Sequence, residues 1–584
     1  MIVIRCLTGS LRAARFFFCV GLAGVVAAAP EAAQPEAASG FSAKPPAFAR
    51  HYMAVTANPQ ATDAALEILA LGGSAVDAAI AAQFVLNIVE PQSSGIGGGG
   101  FLLHYDAARR RIAAYDGRET APAAAVATRF VGAGGEALRF DDAVATGRSI
   151  GVPGLVALLA LAHERHGRLR WERLLRPAIR LAADGFAVSP RLHRLLADDR
   201  FLRHDAAARA LYYRADGAAL APGSWLVNPQ LAATLRTLAE DGPQAFYRGP
   251  IAAAVVMAAD NHPKGGGDLS LADLAAYRAV ERRPVCGAYR HYRVCGMPPP
   301  SSGGISVLQI LGLLERTPFA AAAPASVPAI HLFTEAGRLA FADRRRYLGD
   351  PDFVAVPQRA LLDGRYLDGR ARLISPRRSI GTAPPGELPA GAAQGDDTAP
   401  ELAATTHLSI VDGRGNAVAL TSSIEAGFGS RTMAAGFLLN NQLTDFSFRP
   451  DDNGKPAANR VEAGKRPLSS MAPTLVFAGD RLFAVLGSPG GPQIINYVAQ
   501  TLTAILDWRL PPDAALALPH YGSRNGPTDL ERDTAVMELA PALEALGHRI
   551  ERRDMTSGTH LIVRARNGWI GAADPRREGA AAGR

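Results

Sequence analysis

Between residues 60 and 90 the apolar positions recur with a helical period. ATDAALEILALGG stops at a glycine pair, and SAVDAAIAAQFVLNIVEP runs from a serine cap to a proline, which predicts two consecutive helices. The second is apolar on nearly every face and is therefore expected to be buried. From about residue 150 to 350 the helical period dominates, punctuated by Pro and Gly and interrupted by one hairpin around Cys286. From residue 405 the period shortens to two, and THLSIVD, NAVALTSS, PTLVFAG and LFAVLGS read as short strands. If the first pair turns on Gly413, Arg414 and Gly415, with Asp412 opposite Asn416, then Thr405 falls opposite Ser423. Two hydroxyls then stand side by side at the open end of a hairpin, and a slip of one residue would turn the faces around. The chain shows no internal repeat.

Just ahead of that hairpin the pattern disappears. Of the 24 residues from 381 to 404, fifteen are Gly, Pro or Ala, the character of a mobile linker that forms no packed element. A plain interdomain linker and a proteolytic seam look the same at this level.

Composition narrows the class. With 584 residues, 48% hydrophobic and 20% charged, the chain is long enough for several domains or one large sandwich, and it is far less apolar than a multi-span membrane protein. The formal charge of +8 falls to +5 once Arg5, Arg12 and Arg15 are set aside, with Asp and Glu interspersed throughout, so no nucleic-acid footprint is read. Those three arginines precede the apolar run FFFCVGLAGVVAAA, Phe16 to Ala29, followed by a Pro/Ala/Glu tail. The run is short for a bilayer span and suits a signal peptide, residues 1–29 with an approximate cut, so the mature protein is expected to be exported to the periplasm or secreted. Cys6 and Cys19 leave with it. Cys286 and Cys295 lie one on each arm of the hairpin RPVCGAYRHYRVCG and are either bridged or two buried thiols. Two cysteines and scattered histidines without HExxH spacing give no expected metal site.

Gly95, Gly97 and Gly100 in SSGIGGGGF satisfy G-x-G-x-x-G, but a helix precedes them and a strand follows, the reverse of what a dinucleotide needs. A turn with positive φ is the expectation there, with close approach to a ligand as the sharper alternative.

The threonine hairpin admits a chemical reading besides the structural one. A threonine exposed as a new N-terminus carries its own base, since an α-amine has a reference pKa of about 7.7 to 8.0. Its hydroxyl is then a nucleophile without a histidine.

At this point the residues resemble the gamma-glutamyltransferases, members of the N-terminal nucleophile hydrolases, from about Met53 to the C-terminus. The most specific pieces are TTHLSIVD, LLNNQLTDFS (438–447), GKRPLSSMAPT (464–474) and GSPGG (487–491). DGRETAP (116–122), MPPPSSGG (297–304) and DRRRYLGDPDF (343–353) support them.

The resemblance implies an α+β fold, a four-layer αββα sandwich built jointly by a large subunit, 30–404, and a small catalytic subunit, 405–584, after self-cleavage between Ala404 and Thr405. It implies no cofactor. Thr405 would attack γ-glutamyl amides such as glutathione, and water, an amino acid or a dipeptide would resolve the ester. Ser423 would stand beside it, and the backbone N–H groups of Gly490 and Gly491 would hold the oxyanion. Arg118, Ser469 and Ser470 would bind the donor's α-carboxylate, and Gln442 and Asp445 its ammonium.

Two positions depart from the familiar pattern. Ser423 and Glu425 stand where well-known members carry Thr and Asn, and Glu425 adds a second negative charge near Asp445. The segment DFSFRPDDNGKPAANRVEAGKRP is a short lid without tyrosine, which favours hydrolysis over transfer. Two other readings remain: an acylase of the same fold for glutaryl side chains, and an uncleaved exported binding protein.

Overall fold

A computed structural model describes residues 38–388, 394–399 and 404–584; the expected signal peptide lies outside these. The two helices expected at the start are Pro59–Ala70 and Ala75–Val89. Asn58 caps the first through a bond from Gln60 N, and Ser74 and Asp77 form a capping box on the second. Gly72, at φ +82°, makes the turn between them. Every residue of Ala75–Val89 is buried, as its uniform apolarity requires.

Two seven-stranded antiparallel sheets stack at the centre. One has the order Ala580–Gly583, Met53–Thr56, Ala404–Val411, Ala417–Glu425, Gly99–Asp106, Arg111–Gly117, Val280–Arg282. The other runs Ala47–Ala49, Gly568–Ala573, His560–Ala565, Arg481–Gly487, Thr474–Ala478, Tyr292–Gly296, Val285–Tyr289. Strand alternation sorts side chains between layers. Leu408, Ile410, Val418 and Leu420 join the core shared with the first helices, whereas Val411, Ala417 and Ala419 join a core that also holds Val485, Leu561 and the helices Gly303–Glu315, Val327–Tyr347 and Ile494–Leu506. The result is helices, sheet, sheet, helices.

The predicted hairpin register is the observed one: Thr405 pairs with Ser423 and Val411 with Ala417, and Asp412 N donates to Asn416 O at 2.9 Å. Cys286 pairs with Cys295 across its own hairpin and the two are joined by a disulfide, which settles that alternative.

Two expectations need correction. The glycine run does not make a positive-φ turn, because none of Gly95 and Gly97–Gly100 has positive φ. Its glycines instead let protein backbone pass close by: a Cβ on Gly97 would lie 2.1 Å from Leu438 O, and one on Gly98 2.1 Å from Ser423 O. The linker is also less loose than its composition implies. Ala383 N donates to Asn525 Oδ1 at 2.7 Å, Gly386 N to Asp343 Oδ1 at 2.8 Å, and Thr398 Oγ1 lies 2.9 Å from Ser447 Oγ. Small residues pack where an extended segment crosses a surface closely, a demand that composition alone reads as freedom. Residues 389–393 and 400–403 lie outside the described set.

Candidate active site

One narrow cavity is lined by Arg118, Thr405, Ser423, Glu425, Gln442, Asp445, Leu468, Ser469, Ser470, Met471, Gly491, Pro492 and Ile494. Residues far apart in sequence meet there because each sits at an element's end. Arg118 follows the strand Arg111–Gly117, Thr405 and Ser423 close the open end of the hairpin, and Gln442 and Asp445 bound a one-turn 3-10 helix. Of the site residues expected from sequence, Gly490 and the cleavage-point Ala404 are absent from the lining. A larger cleft, lined among others by Phe41, Arg194, Phe428 and Arg576, shares no residue with this cavity.

At the hairpin end, parity places neighbouring threonines on opposite faces. Thr405 lines the cavity, whereas Thr406 Oγ1 points to the helical layer and donates to Glu90 Oε2 at 3.2 Å. The pairing is irregular between Ala404 and Thr405, so that Ala404 sits opposite Glu425. Glu425 has φ +80°, a left-handed conformation that costs a non-glycine residue free energy. Ser423 Oγ donates to Ala404 O at 2.5 Å and accepts from Glu425 N at 2.8 Å. The carbonyl at the expected cleavage point is thus bound by the hydroxyl opposite the threonine.

Arg118 is buried and held on three sides. Its Nε donates to Pro467 O at 3.1 Å, and Nη2 to Leu468 O at 2.8 Å and Asp445 Oδ2 at 2.5 Å. Gln442 Nε2 donates to the same oxygen at 2.7 Å. Arg118 Nη1 and Gln442 Oε1 have no hydrogen-bond partner among the described residues, so an arginine donor and an amide acceptor are left over.

Several residues that hold this arrangement escape sequence reasoning. Asn441 Nδ2 donates to Glu425 Oε2, and Asn441 Oδ1 accepts from Ala426 N at 2.9 Å, so the side chain clamps the end of the Glu425 strand. Asn440 Nδ2 donates to Gly97 O at 2.7 Å and Gly151 O at 2.9 Å. Arg344, on Val327–Tyr347, donates to Ser470 Oγ at 2.9 Å and Ser302 Oγ at 2.8 Å, and Ser302 Oγ donates to Ser469 O at 2.7 Å. Arg577 Nη1 donates to Thr405 O at 3.3 Å. The paired asparagines, MPPPSSGG and DRRRY were visible as motifs, but their role is support, which needs three-dimensional neighbours to see.

GSPGG turns sharply. Gly490 and Gly491 have φ of +134° and +55°, and a Cβ on Gly490 would lie 2.5 Å from the Tyr497 ring. A Cβ on Gly487 would lie 2.3 Å from the His407 ring, which fills the space between the sheets and is held well below the usual histidine range by burial and then by His560.

The histidines are not all scattered, contrary to the sequence reading. His331, Glu335 and His548 bring donor atoms within 4.8 Å of one another. Their bonds are already used, however. His331 Nε2 donates to Ser375 O at 2.6 Å, which leaves Nδ1 to accept from His548 Nε2 at 2.7 Å. His548 Nδ1 then accepts from Thr528 Oγ1 at 2.7 Å, and Thr528 accepts from Arg338 Nη2 at 2.8 Å. These directions are assigned from the network for neutral rings. Burial, and His331 beside it, push His548 down to about 3. A closed chain of this kind fits a structural joint better than a metal site.

Comparison with known proteins gives the family and the fold. The family model for gamma-glutamyltranspeptidase matches residues 61–584. The glutathione hydrolase proenzyme of Escherichia coli K12 is 37% identical over 551 residues, covering 91% of each chain. Among solved structures, a cephalosporin acylase from Bacillus halodurans superposes with a TM-score of 0.81 at 27% identity, covering 94% of this chain and 99% of that one. Gamma-glutamyltranspeptidase from Helicobacter pylori gives 0.55 at 33% identity, covering 57% of this chain and 96% of that one. The fold is that of the N-terminal nucleophile hydrolases, and the chain belongs to the gamma-glutamyltranspeptidase family.

Proposed function

We propose that the chain is a γ-glutamyltransferase and glutathione hydrolase, made as a precursor that cuts itself before Thr405. The observation that carries this reading is the hydrogen bond from Ser423 to the Ala404 carbonyl, at the mouth of a cavity lined by Arg118, Asp445, Ser469 and Ser470. In the first event Thr405 Oγ attacks the Ala404 carbonyl carbon while Ser423 binds its oxygen. The amide nitrogen takes a proton and leaves, giving an ester that water hydrolyses. The products are a new carboxylate at Ala404 and a free α-amine on Thr405.

That amine then serves as base for the second reaction. The Thr405 hydroxyl attacks the donor's γ-carbonyl, its proton passes to the leaving amine, and a γ-glutamyl ester remains. Ser423, released from Ala404, turns to the threonine opposite it. The N–H groups of Gly490 and Gly491 face the oxyanion, each donor worth about 2.7 to 4 kcal/mol. Arg118 Nη1 and the hydroxyls of Ser469 and Ser470 take the α-carboxylate. Gln442 Oε1, Asp445 and Glu425 take the ammonium. Water, an amino acid or a dipeptide resolves the ester, and no cofactor enters either step. The two chains stay together as a heterodimer, exported by the N-terminal segment. No helix of the described residues is long and apolar enough to cross a membrane.

The high structural similarity to a cephalosporin acylase makes a glutaryl amide the second reading. N-terminal sequencing of the smaller chain should read TTHLS, and turnover of a γ-glutamyl anilide should far exceed that of the glutaryl anilide. A small chain beginning at Thr406, or a preference for glutaryl, would sink the proposal.

A further inference from the structure

Besides Gln442 Oε1, two adjacent buried groups at the site stay unpaired once its hydrogen bonds are counted. Among the described residues, Arg118 Nη1 and both carboxyl oxygens of Glu119 lack a partner, although both side chains are fully buried. Interiors rarely leave such groups unmade. The two face each other, with Nη1 3.7 Å from Glu119 Oε2, an ion-pair distance too long for a hydrogen bond. Backbone holds the carboxyl in place: a Cβ on Gly99 would lie 2.6 Å from Oε2, and one on Gly151 3.0 Å from Glu119 Cβ. The glycine run therefore has a further effect, which is to make room for this acid beside the arginine.

We propose that Glu119 is a positioning residue: with its carboxyl protonated it leaves Arg118 Nη1 open to the donor's α-carboxylate, and when ionised it takes that nitrogen for itself. This rests on Arg118 being the donor clamp. The other groups around it do not supply a competing partner. Tyr277 donates to Arg118 O at 2.7 Å, and Tyr247 donates to Pro153 O and accepts from Ala157 N, both at 3.0 Å. Asp116, nearby, is engaged by Arg282 at 2.7 Å, and Asp445 by Arg118 and Gln442. Burial acts most strongly on Glu119, opposed by Arg118 and by the residue's own backbone N–H, with Asp445 and Asp116 adding to it, and the carboxyl is pushed up to about 8. The exchange therefore falls in a range where an enzyme can be assayed.

If only the protonated form admits the donor, the apparent KM scales inversely with that fraction and rises about tenfold from pH 7 to pH 9. The donor's ammonium and the Thr405 amine also titrate here, so the quantity to measure is the ratio of wild-type KM to that of Glu119→Gln. Glutamine has the shape of the protonated acid and cannot ionise. The KM ratio should stand near one at pH 6.5 and climb about tenfold by pH 9, while the kcat ratio stays level. A level KM ratio overturns the proposal. Arg118→Lys, assayed alongside, separates the two claims. A raised KM in that variant with a level ratio removes Glu119 alone, and an unchanged KM removes the clamp and this inference with it. Should Glu119→Gln fail to mature, competition by glutaramate on the wild type decides. Glutaramate has one carboxylate and no amine, and its inhibition constant should rise over the same range; a constant independent of pH overturns the proposal.

Discussion

Arg118 and Glu425 carry the specificity of the proposed site one charge at a time. Lysine at position 118 would keep the charge and lose the fork that bonds Pro467, Leu468 and Asp445 at once. Arg118→Lys is expected to mature normally and to raise the donor KM by roughly ten- to a hundredfold, in line with the loss of one charge-assisted bond of roughly 1.5 to 3 kcal/mol. Steady-state kinetics on a γ-glutamyl anilide checks this. Glu425→Gln removes a negative charge from the proposed ammonium side while keeping a side chain that Asn441 can still meet. Turnover of the γ-glutamyl anilide should fall by roughly ten- to a hundredfold in kcat/KM, and that of the glutaryl anilide much less. Equal losses on the two substrates would make Glu425 structural. Both positions were legible as motif residues. Their support was not, because Asn441, Arg344 and Ser302 act across distances of 16 to 167 residues in sequence, which no local pattern reports.

At the scale of elements, the hairpin was the most legible part of the chain. Its glycine turn and period-two alternation fix the register, and the register fixes that Ser423 faces Thr405. What could not be read was the irregularity at Ala404, since a bulge leaves no mark in the hydrophobic pattern. The same holds for the glycine run, where spacing pointed to φ and packing turned out to decide. Ser423→Ala tests the irregular end directly. It removes the hydroxyl that donates to Ala404 O while leaving strand pairing intact. Self-cleavage is expected to slow by about a hundred- to a thousandfold, the range for losing one donor to a developing oxyanion. The ratio of full-length to cleaved material on a denaturing gel, followed over time, measures it. Cleavage at the wild-type rate would remove Ser423 from the step.

For the molecule as a whole, buried histidines set an acid limit. His104, His548 and His560 are each held down to about 3, chiefly by burial. Their folded values lie below the unfolded value of about 6.5, so the unfolded chain binds more protons as pH falls. The stability they supply is complete above pH 6.5 and drains away between there and about pH 3. The melting temperature should accordingly fall with increasing steepness as pH drops below 6.5. A melting temperature unchanged between pH 6.5 and 4.5 would show that these rings are accessible to protons in the fold.

The order of strands in the first sheet has an outcome that belongs to time and concentration. Met53–Thr56 lies hydrogen-bonded between Ala580–Gly583 and Ala404–Val411, and Ala417–Glu425 is bonded to Gly99–Asp106. A cut before Thr405 divides this sheet into two polypeptides, with Met53–Thr56 of one held between two strands of the other. Folding before the cut is an event within one molecule; after it, the same sheet can be rebuilt only by the meeting of two. Maturation would then act as a ratchet, and the enzyme's persistence would rest on how slowly it opens, since a dilute pair that separates has little chance of return. Recovery from urea should depend on protein concentration for the cut enzyme and be independent of it for a Thr405→Ala chain, whose halves stay joined.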